Sequence, residues 1–257
     1  MVRPWSHGAD VLPCVVLAGG LGTRMRPMTE RIPKALIPVM GRPFAELQLE
    51  WLAGQGVEHV VYSIGYRAEM IREALGSGER FGLRLEYVDE GDDLRGSGGA
   101  LRLALDQRLL PDRFFVLYGD AYLHVDLAAV EQRWRSSGKP ALMTVLRNAG
   151  RWDRSNAVLH EGDVFYDKRA DDGASGMEWI DYGLSVTSAD IIASWLPPGG
   201  RGDLADLFHM LSQRGDVAGF EVTDRFYEIG SPSGLSELEA HLRQTTEHVA
   251  PDRSTPG

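Results

Sequence analysis

Short apolar runs alternate with amphipathic segments along the first half of the chain, and this alternation restricts the fold more than any other feature. Residues 14–18 (Cys-Val-Val-Leu-Ala) are apolar without interruption, which is typical of a strand buried on both faces of a parallel sheet. Further strands are predicted at 59–64, 83–88 and 114–118, and helices at 44–52, 68–75, 127–136 and from about residue 100. Crossovers this short predict an α/β fold, with a doubly wound, mostly parallel sheet and helices on both faces.

From residue 139 onward the pattern changes, because the first strands follow one another with only loops between them. Strands are predicted at 141–146, 157–160 and 180–186, then helices at 189–195 and 204–213, two short strands and a final helix from Pro232. We expect mixed pairing, with the later strands added antiparallel to the same sheet. The sequence thus predicts one domain over 11–243, with halves at about 11–138 and 139–243. Residues 244–257 lack apolar periodicity and are expected to form a frayed tail.

Composition excludes several classes of protein. The 257 residues include 27 Lys and Arg against 37 Asp and Glu, a formal net charge of −10. This balance argues against a nucleic-acid partner, because phosphate contacts need a basic face. The longest uncharged run, residues 11–23, is too short to span a membrane, and residues 1–10 lack the apolar stretch of a secretory signal. Cys14 is the single cysteine, so no intramolecular disulfide forms and a cytoplasmic location is expected.

The segment after the first predicted strand has the features of an anion-binding loop. It contains three glycines within 19–22, and Arg24 and Lys34 supply positive charge. Ligands of open parallel sheets bind beyond the carboxyl ends of the strands, where glycines let backbone amides approach an anion. The spacing matches neither the Walker A sequence nor the Rossmann fingerprint, whose third glycine position holds Met25. For the loop taken alone, the competing interpretation is a tight turn with two solvated cations.

Three other charged residues lie within or at the end of predicted strands. Asp120 ends the fourth predicted strand and so faces the same edge of the sheet as the glycine loop, where a carboxylate suits Mg²⁺; alternatively it caps the turn into the next helix. Lys168 ends a short predicted strand and either holds a phosphate as a point charge or is an ordinary exposed lysine. Asp181 lies within an apolar strand, where a carboxylate is costly to bury without a partner.

The whole string of motifs resembles the signature of the sugar-1-phosphate nucleotidyltransferases, also known as nucleoside-diphosphate-sugar pyrophosphorylases. Gly-Gly-Leu-Gly-Thr-Arg at 19–24 is followed by Pro-Lys at 33–34, by Gly-Ser-Gly-Gly-Ala at 96–100, and by Tyr-Gly-Asp at 118–120. Tyr-Asp-Lys-Arg at 166–169 and Tyr-Glu-Ile-Gly-Ser-Pro at 227–232 are similar to the family's Glu-Lys-Pro and Asp-x-Gly-Thr-Pro segments. The resemblance covers roughly residues 14–242 and implies a Rossmann-like sheet, which is related to that of the GT-A glycosyltransferases.

The resemblance implies that a nucleotidyl group passes from a nucleoside triphosphate to a sugar 1-phosphate, with Mg²⁺ as cofactor. It assigns catalysis to Arg24, Lys34 and Asp120, and metal binding to Asp120 and Glu228, although the family usually has Asp where this chain has Glu228. The implied sugar-phosphate residues are Lys168, Asp181 and Gly183. The implied nucleotide-binding residues are Leu17, Ala18, Gly19, Gly20, Gly22, Thr23, Arg24, Asp89, Glu90, Gly96, Gly98 and Gly99.

Within this family the segment at 227–232 most resembles that of bacterial heptose- or mannose-1-phosphate guanylyltransferases. The implied acceptors are therefore D-glycero-D-manno-heptose 1-phosphate and mannose 1-phosphate, with thymidylyl, uridylyl or cytidylyl transfer as alternatives. A GT-A glycosyltransferase is disfavoured because Asp-Ala-Tyr at 120–122 lacks the required Asp-x-Asp, and an inactive regulatory homologue is disfavoured because the charged residues are retained. The expected partners are the two substrates, not nucleic acid or a membrane, and homo-oligomerisation stays open.

Overall fold

The structure, a computed structural model, describes residues 11–148, 150–152, 154–169 and 176–249. Its strands are β1 (Cys14–Leu17), β2 (Pro38–Val39), β3 (Arg42–Pro43), β4 (His59–Ile64), β5 (Arg84–Asp89), β6 (Arg113–Tyr118), β7 (Ala121–Tyr122), β8 (Ala141–Arg147), β9 (Ala157–His160), β10 (Asp163–Tyr166), β11 (Trp179–Ser188), β12 (Val217–Val222) and β13 (Tyr227–Glu228). Its α-helices are α1 (Phe44–Gly54), α2 (Ala68–Leu75), α3 (Gly96–Asp106), α4 (Leu127–Ser137), α5 (Ala189–Trp195), α6 (Leu204–Gln213) and α7 (Pro232–Val249).

Nine strands form one mixed sheet in the order β5-β4-β1-β6-β11-β8-β12-β10-β9. Strand β1 lies parallel between β4 and β6, with Cys14 opposite Val60 and Phe115. Strand β11 enters antiparallel between β6 and β8, and β12 runs parallel to β8. The predicted α/β architecture is confirmed, and strands from both halves of the chain share this sheet.

The helices cover both faces of the sheet because successive strand side chains point to opposite sides. In β1, Cys14 and Val16 pack with residues of α1, α2 and α4, whereas Val15 packs with residues of α3, α5 and α6. All three of these β1 side chains are buried. The uninterrupted apolar run at 14–17 is therefore the sequence of a strand with a core on each side. No helix in the described part of the chain has the length and hydropathy to cross a membrane.

Helix α3 begins at Gly96, so the predicted start at about residue 100 was too late. Gly98 and Gly99 lie inside the first turns of the helix. A β-carbon at Gly98 would lie 2.4 Å from the ring of Trp195, and one at Gly99 would lie 2.6 Å from the Arg95 β-carbon. These two glycines let α3 pack closely against its neighbours. In the sequence alone, the same glycines indicate a flexible loop.

Two further boundaries differ from the predictions. Helix α7 continues to Val249, so residues 244–249 of the expected tail are helical, and residues 250–257 lie outside the described residues. Strand β10 ends at Tyr166, which places Lys168 in the following turn and not at the end of a strand. In that turn the Arg169 backbone N–H donates to Asp167 Oδ1 over 2.9 Å.

Candidate active site

A cavity of about 400 Å³ opens beyond the carboxyl ends of β1, β4 and β6. Its walls come from the loop after β1, the turn after β6, the loop after β5, the start of α3 and Gly230 after β13. The implied site residues that line it are Leu17, Ala18, Gly19, Gly20, Gly22, Thr23, Arg24, Lys34, Glu90, Gly96 and Asp120. This is the edge of an open parallel sheet where ligands bind.

The loop after β1 is shaped by Gly22, whose φ angle is +61°. The buried Thr29 donates its hydroxyl to the Gly22 carbonyl over 2.9 Å. A β-carbon at Gly22 would lie 2.9 Å from Thr29 Cγ2 and 3.1 Å from Lys34 Cβ. Glycine is therefore required at this point both by the left-handed backbone and by the close approach of Lys34.

Lys34 and Asp120 form an ion pair across this cavity. The Lys34 Nζ atom lies 2.5 Å from Asp120 Oδ2, and their side chains are only 16% and 27% exposed. The turn that carries Asp120 is held by Gln48 of α1, whose Nε2 donates to the Tyr118 and Ala121 carbonyls over 3.0 and 2.7 Å. Sequence reasoning missed Gln48, although a polar residue on the apolar face of a predicted helix is a signal that could have identified it.

Glu228 approaches Asp120 through a short antiparallel ribbon. Strand β13 pairs with β7 so that Glu228 lies opposite Ala121, and the Ile229 N–H donates to the Asp120 carbonyl over 3.0 Å. A β-carbon at Gly230 would lie 3.1 Å from Glu228 Oε1 and 3.2 Å from Arg24 Nη2. The ribbon thus brings the Glu228 carboxylate close to Gly230, which lines the cavity, and Arg24 of the loop after β1 reaches the same point.

This donor set fits Mg²⁺, which prefers oxygen ligands and commonly uses one or two carboxylates. Asp120 and Glu228 supply carboxylates from adjacent chain segments. No cluster of three or more His, Cys, Asp or Glu able to hold a metal occurs among the residues that the structure describes. An ion at this wall would therefore depend on water and substrate phosphate oxygens to complete its coordination.

The two acidic residues at the end of β5 point in different directions. Glu90 lines the cavity, where its Oε1 accepts from the Ser63 hydroxyl over 3.2 Å and its Oε2 accepts from the Arg95 N–H over 3.0 Å. Asp89 instead accepts from the Gly91 N–H and from Arg72 Nη2, over 2.8 and 3.3 Å. Asp89, the last residue of β5, thus lies outside the cavity wall that contains Glu90, and a role for Asp89 in nucleotide binding stays a prediction.

The start of α3 contributes Gly96 and Ser97, but not Gly98 or Gly99, to the cavity wall. The Gly98 and Gly99 N–H groups both donate to the Gly202 carbonyl, over 2.9 and 3.1 Å. Their amides join α3 to the loop before α6, and nucleotide binding by these two glycines stays a prediction.

Asp203 connects this wall to Lys168. The Ser97 hydroxyl donates to Asp203 Oδ1 over 2.9 Å, and Lys168 Nζ donates to Asp203 Oδ2 over 3.1 Å. Lys168 itself is 60% exposed and lines a separate cavity of about 460 Å³, together with Asp206 and His209. The structure therefore does not bring Lys168 into the wall of the main cavity, and Asp203 is a linking residue that sequence reasoning missed.

Asp181 and Gly183 lie behind Tyr118, around a void of about 10 Å³. The Gly183 N–H donates to Asp181 Oδ1 over 2.9 Å, and the Tyr118 hydroxyl donates to Oδ2 over 3.4 Å. Gly183 has φ +94° at an irregularity in the β11–β8 pairing. The carboxylate thus has two hydrogen-bond donors, which offset part of the cost of its burial, but the space beside it is too small for a sugar ring.

The environment of Asp181 gives a testable pH dependence. Burial raises the pKa of its carboxyl to about 6, so the folded protein binds this proton more tightly than the unfolded chain. Stability therefore falls as the pH rises from about 4 to about 6 and then levels off. We expect Asp181→Asn to raise the free energy of unfolding at pH 7.5 by up to about 2–3 kcal/mol, and to have little effect at pH 4. Urea unfolding at both pH values measures this; a gain of equal size at both would contradict it.

Comparison with known proteins identifies relatives in sequence and in fold. The UTP–glucose-1-phosphate uridylyltransferase of Synechocystis sp. PCC 6803 is 31% identical over an alignment of 219 residues, which covers 79% of this chain and 56% of that protein. The D-glycero-alpha-D-manno-heptose 1-phosphate guanylyltransferase of Campylobacter jejuni is 32% identical over 120 residues, which are 47% of this chain and 52% of that protein. The chain therefore matches about half the length of these curated relatives.

The crystal structure of HddC from Yersinia pseudotuberculosis shares the fold, with a TM-score of 0.74 at 24% sequence identity, over 90% of this chain and 99% of that one. The sequence model of the nucleotidyl transferase family matches residues 14–155. This region is more than half of the chain and contains the glycine loop, Lys34, Glu90 and Asp120. The chain therefore belongs to the nucleotidyl transferase family.

Proposed function

We propose that this protein transfers a nucleotidyl group from a nucleoside triphosphate to a sugar 1-phosphate, which yields an NDP-sugar and pyrophosphate. The observation that carries the proposal is the placement of two cations, Arg24 and Lys34, beside Asp120 and near Glu228 on one cavity at the glycine loop. Polyphosphate chemistry needs this combination, because a triphosphate carries several negative charges and its cation needs carboxylate ligands. The reactions named for the curated relatives support the same class.

In the proposed reaction a phosphate oxygen of the sugar 1-phosphate attacks the α-phosphorus in line. The bond from the α-phosphorus to the bridging oxygen breaks, and pyrophosphate leaves from the opposite side with that electron pair. The chain acts by positioning and charge neutralisation, with Lys34 at the triphosphate and the incoming phosphate, and Arg24 at the departing phosphates. Mg²⁺, held by Asp120 and Glu228, would supply further neutralisation of phosphate charge.

The proposed nucleotide is guanosine triphosphate, and Glu90 supports this choice. Guanine presents two neighbouring hydrogen-bond donors on one edge, N1–H and the N2 amino group. An ionised carboxylate only accepts hydrogen bonds, so it is complementary to this edge. Among the acidic side chains of β5 and of the loop that follows it, Glu90 is the one that lines the cavity. Mannose 1-phosphate and D-glycero-D-manno-heptose 1-phosphate are the proposed acceptors, and the name of the Campylobacter relative supports the heptose. Uridylyl transfer is the alternative, which the name of the Synechocystis relative supports.

Mg²⁺ as cofactor and a cytoplasmic location belong to the same proposal. The carboxylates of Asp120 in the cavity wall and of Glu228 in the adjacent ribbon support the metal. The location is supported by the single cysteine, Cys14, which is buried and unpaired.

Pyrophosphate release tests the function. GTP, UTP, dTTP and CTP are each combined with mannose, glucose and D-glycero-D-manno-heptose 1-phosphates, with Mg²⁺ present, and Asp120→Asn serves as the control for contaminating activity. We expect the highest kcat/KM for GTP with mannose or heptose 1-phosphate. Preference for UTP with glucose 1-phosphate would keep the reaction class and reject the guanine assignment. Release from no pair above the Asp120→Asn background would reject the function.

Lys168 is expected to serve the sugar 1-phosphate and not the triphosphate. Its ammonium lies outside the main cavity but is joined to the cavity wall through Asp203 and Ser97. Lys168→Met should weaken sugar 1-phosphate binding by about tenfold or more, the usual scale for one hydrogen bond to a charged group, and leave triphosphate binding nearly unchanged. Titration calorimetry with each substrate alone measures the two affinities.

The matched control is Arg169→Met, which removes the neighbouring cation, whose guanidinium pairs with Asp206 over 2.7 Å. This variant should retain both affinities. Equal losses for both substrates in Lys168→Met, or the same loss in Arg169→Met, would show that Lys168 has no specific contact with the sugar phosphate.

A further inference from the structure

The Lys34–Asp120 pair is held in place from both sides, unlike an ordinary surface ion pair. Lys34 begins a 3-10 turn in which the Leu36 N–H donates to the Pro33 carbonyl over 2.9 Å, and its Cβ lies 3.1 Å from the β-carbon position of Gly22. Asp120 is held by the hydrogen bond of its carbonyl to the Ile229 N–H over 3.0 Å. Both side chains are largely shielded from water, so the attraction between them is stronger than at an exposed site.

Two cations can bind the Asp120 carboxylate: the Lys34 ammonium and a divalent metal ion. The Lys34 ammonium lies 2.5 Å from Asp120 Oδ2, which is the separation of a direct charge-assisted hydrogen bond. A divalent cation bound to the same carboxylate would stand within a few ångströms of the ammonium, and like charges at that distance repel strongly in a shielded site. Both cations cannot bind this carboxylate strongly at once.

We propose that Lys34 acts as an internal counterion that competes with the divalent cation for Asp120, so that the metal binds strongly only together with the triphosphate. This inference rests on the proposed function. A triphosphate offers several anionic oxygens to Lys34, so its arrival draws the ammonium away from Asp120 and leaves that carboxylate to the metal. The residue that the triphosphate engages is thus also the residue that keeps the metal site weak until the nucleotide is present.

The competition has a thermodynamic signature. If the nucleotide raises the metal affinity by some factor, the metal must raise the nucleotide affinity by the same factor. Part of that factor comes from removal of Lys34 from Asp120, and the remainder comes from direct contacts between the metal and the phosphates. Neutralising Lys34 should therefore strengthen metal binding to the free protein and reduce the coupling between metal and nucleotide.

Direct binding of Mn²⁺ measures the first effect without any turnover. Electron paramagnetic resonance or calorimetry with Mn²⁺ alone is applied to the wild type, Lys34→Gln, Lys34→Arg and Arg31→Gln. We expect Lys34→Gln to bind Mn²⁺ about tenfold more tightly than the wild type, because a shielded like charge has been removed. Lys34→Arg keeps the charge and should resemble the wild type. Arg31 is exposed in the same segment, so Arg31→Gln controls for the loss of one positive charge and should change the affinity by less than about twofold.

The second measurement adds the α,β-methylene analogue of the substrate triphosphate, which cannot release pyrophosphate. The analogue should tighten Mn²⁺ binding in the wild type by a factor about tenfold larger than in Lys34→Gln, which is the counterpart of the gain in the free protein. Equal Mn²⁺ affinities for the wild type and Lys34→Gln without nucleotide would overturn the competition. Lys34→Met provides an independent neutral variant, and circular dichroism verifies that each variant is folded.

Asp120→Asn separates failure of this inference from failure of the proposed function. If Asp120→Asn abolishes Mn²⁺ binding while Lys34→Gln has no effect, the metal site stands and only the competition is rejected. If Asp120→Asn binds Mn²⁺ as well as the wild type, both the metal assignment and the competition for Asp120 are rejected. Loss of Mn²⁺ binding in Asp120→Asn together with its gain in Lys34→Gln supports the inference.

Discussion

Replacing Arg24 or Lys34 by alanine is expected to lower kcat/KM by about a hundredfold or more in each case, the usual scale for removal of one charge partner of the transition state. Both side chains line the cavity at the carboxyl edge of the sheet, and Arg24 Nη2 lies 3.2 Å from the β-carbon position of Gly230, which lines the same cavity. Because the sugar phosphate itself attacks the α-phosphorus, the protein forms no covalent bond. Its contribution to the rate therefore comes mostly from the placement of these two cations.

Arg31→Ala is the matched control for these variants, because it removes a cation from the same segment at an exposed position outside the cavity wall. It should retain nearly all activity. The thermal midpoints of Arg24→Ala and Arg31→Ala should stay close to that of the wild type, because both side chains are exposed. Near wild-type turnover in both Arg24→Ala and Lys34→Ala would remove the active-site assignment of this loop.

The elements with a clear hydrophobic period could be predicted from the sequence almost to the residue. Strand β4 and helices α2, α5 and α6 begin and end where the pattern indicates. The loop after β1 and the turn with Asp120 could also be predicted to meet, because the carboxyl ends of parallel strands share one edge of the sheet. This reasoning depends only on local patterns and on the topology of α/β folds.

The approach of Glu228 to Asp120 could not be derived in this way. It depends on the ribbon of β7 and β13, two strands of two residues each that are about a hundred positions apart in the chain. Strands this short have no detectable period, and their pairing is a tertiary interaction. Only the resemblance to a family indicated that this segment contributes to the site.

Gly98, Gly99 and Lys168 show a different limit. The motif placed all three near ligands, but Gly98 is required by the ring of Trp195 and Lys168 is joined to Asp203, in each case by a residue that is distant in sequence. Sequence motifs record which residue types occur together, not which neighbour each one contacts. Whether a glycine serves binding or packing depends on the atoms around its β-carbon position, and these come from segments that are distant in sequence.

Gly119→Ala is expected to cause a large combined loss of stability and activity, because Gly119 joins the end of β6 to Asp120 in the cavity wall. A β-carbon at Gly119 would lie 2.7 Å from the Leu17 carbonyl oxygen, 2.7 Å from Ala18 Cβ and 2.9 Å from Ala18 Cα. Two of these are backbone atoms, which cannot rotate away as the end of a side chain can. The Gly119 N–H also donates to the Leu17 carbonyl over 2.9 Å, so relief of the clash requires separation of the ends of β1 and β6 at the glycine loop.

We therefore expect Gly119→Ala to lower the free energy of unfolding by about 1–3 kcal/mol, the usual scale of overpacking. Activity should fall by about a hundredfold, because a shift of about 1 Å in Asp120 is enough to misplace the reacting groups. Gly54→Ala is the control: Gly54 lies at the end of α1 with no atom within 4 Å of its β-carbon position, and its substitution should leave both quantities nearly unchanged. Urea unfolding and kcat/KM measure the two effects separately.

A stable but inactive Gly119→Ala variant would mean that the strands accommodate the methyl group while Asp120 moves. A destabilised but fully active variant would show that the position of Asp120 does not depend on the close approach of β1 and β6.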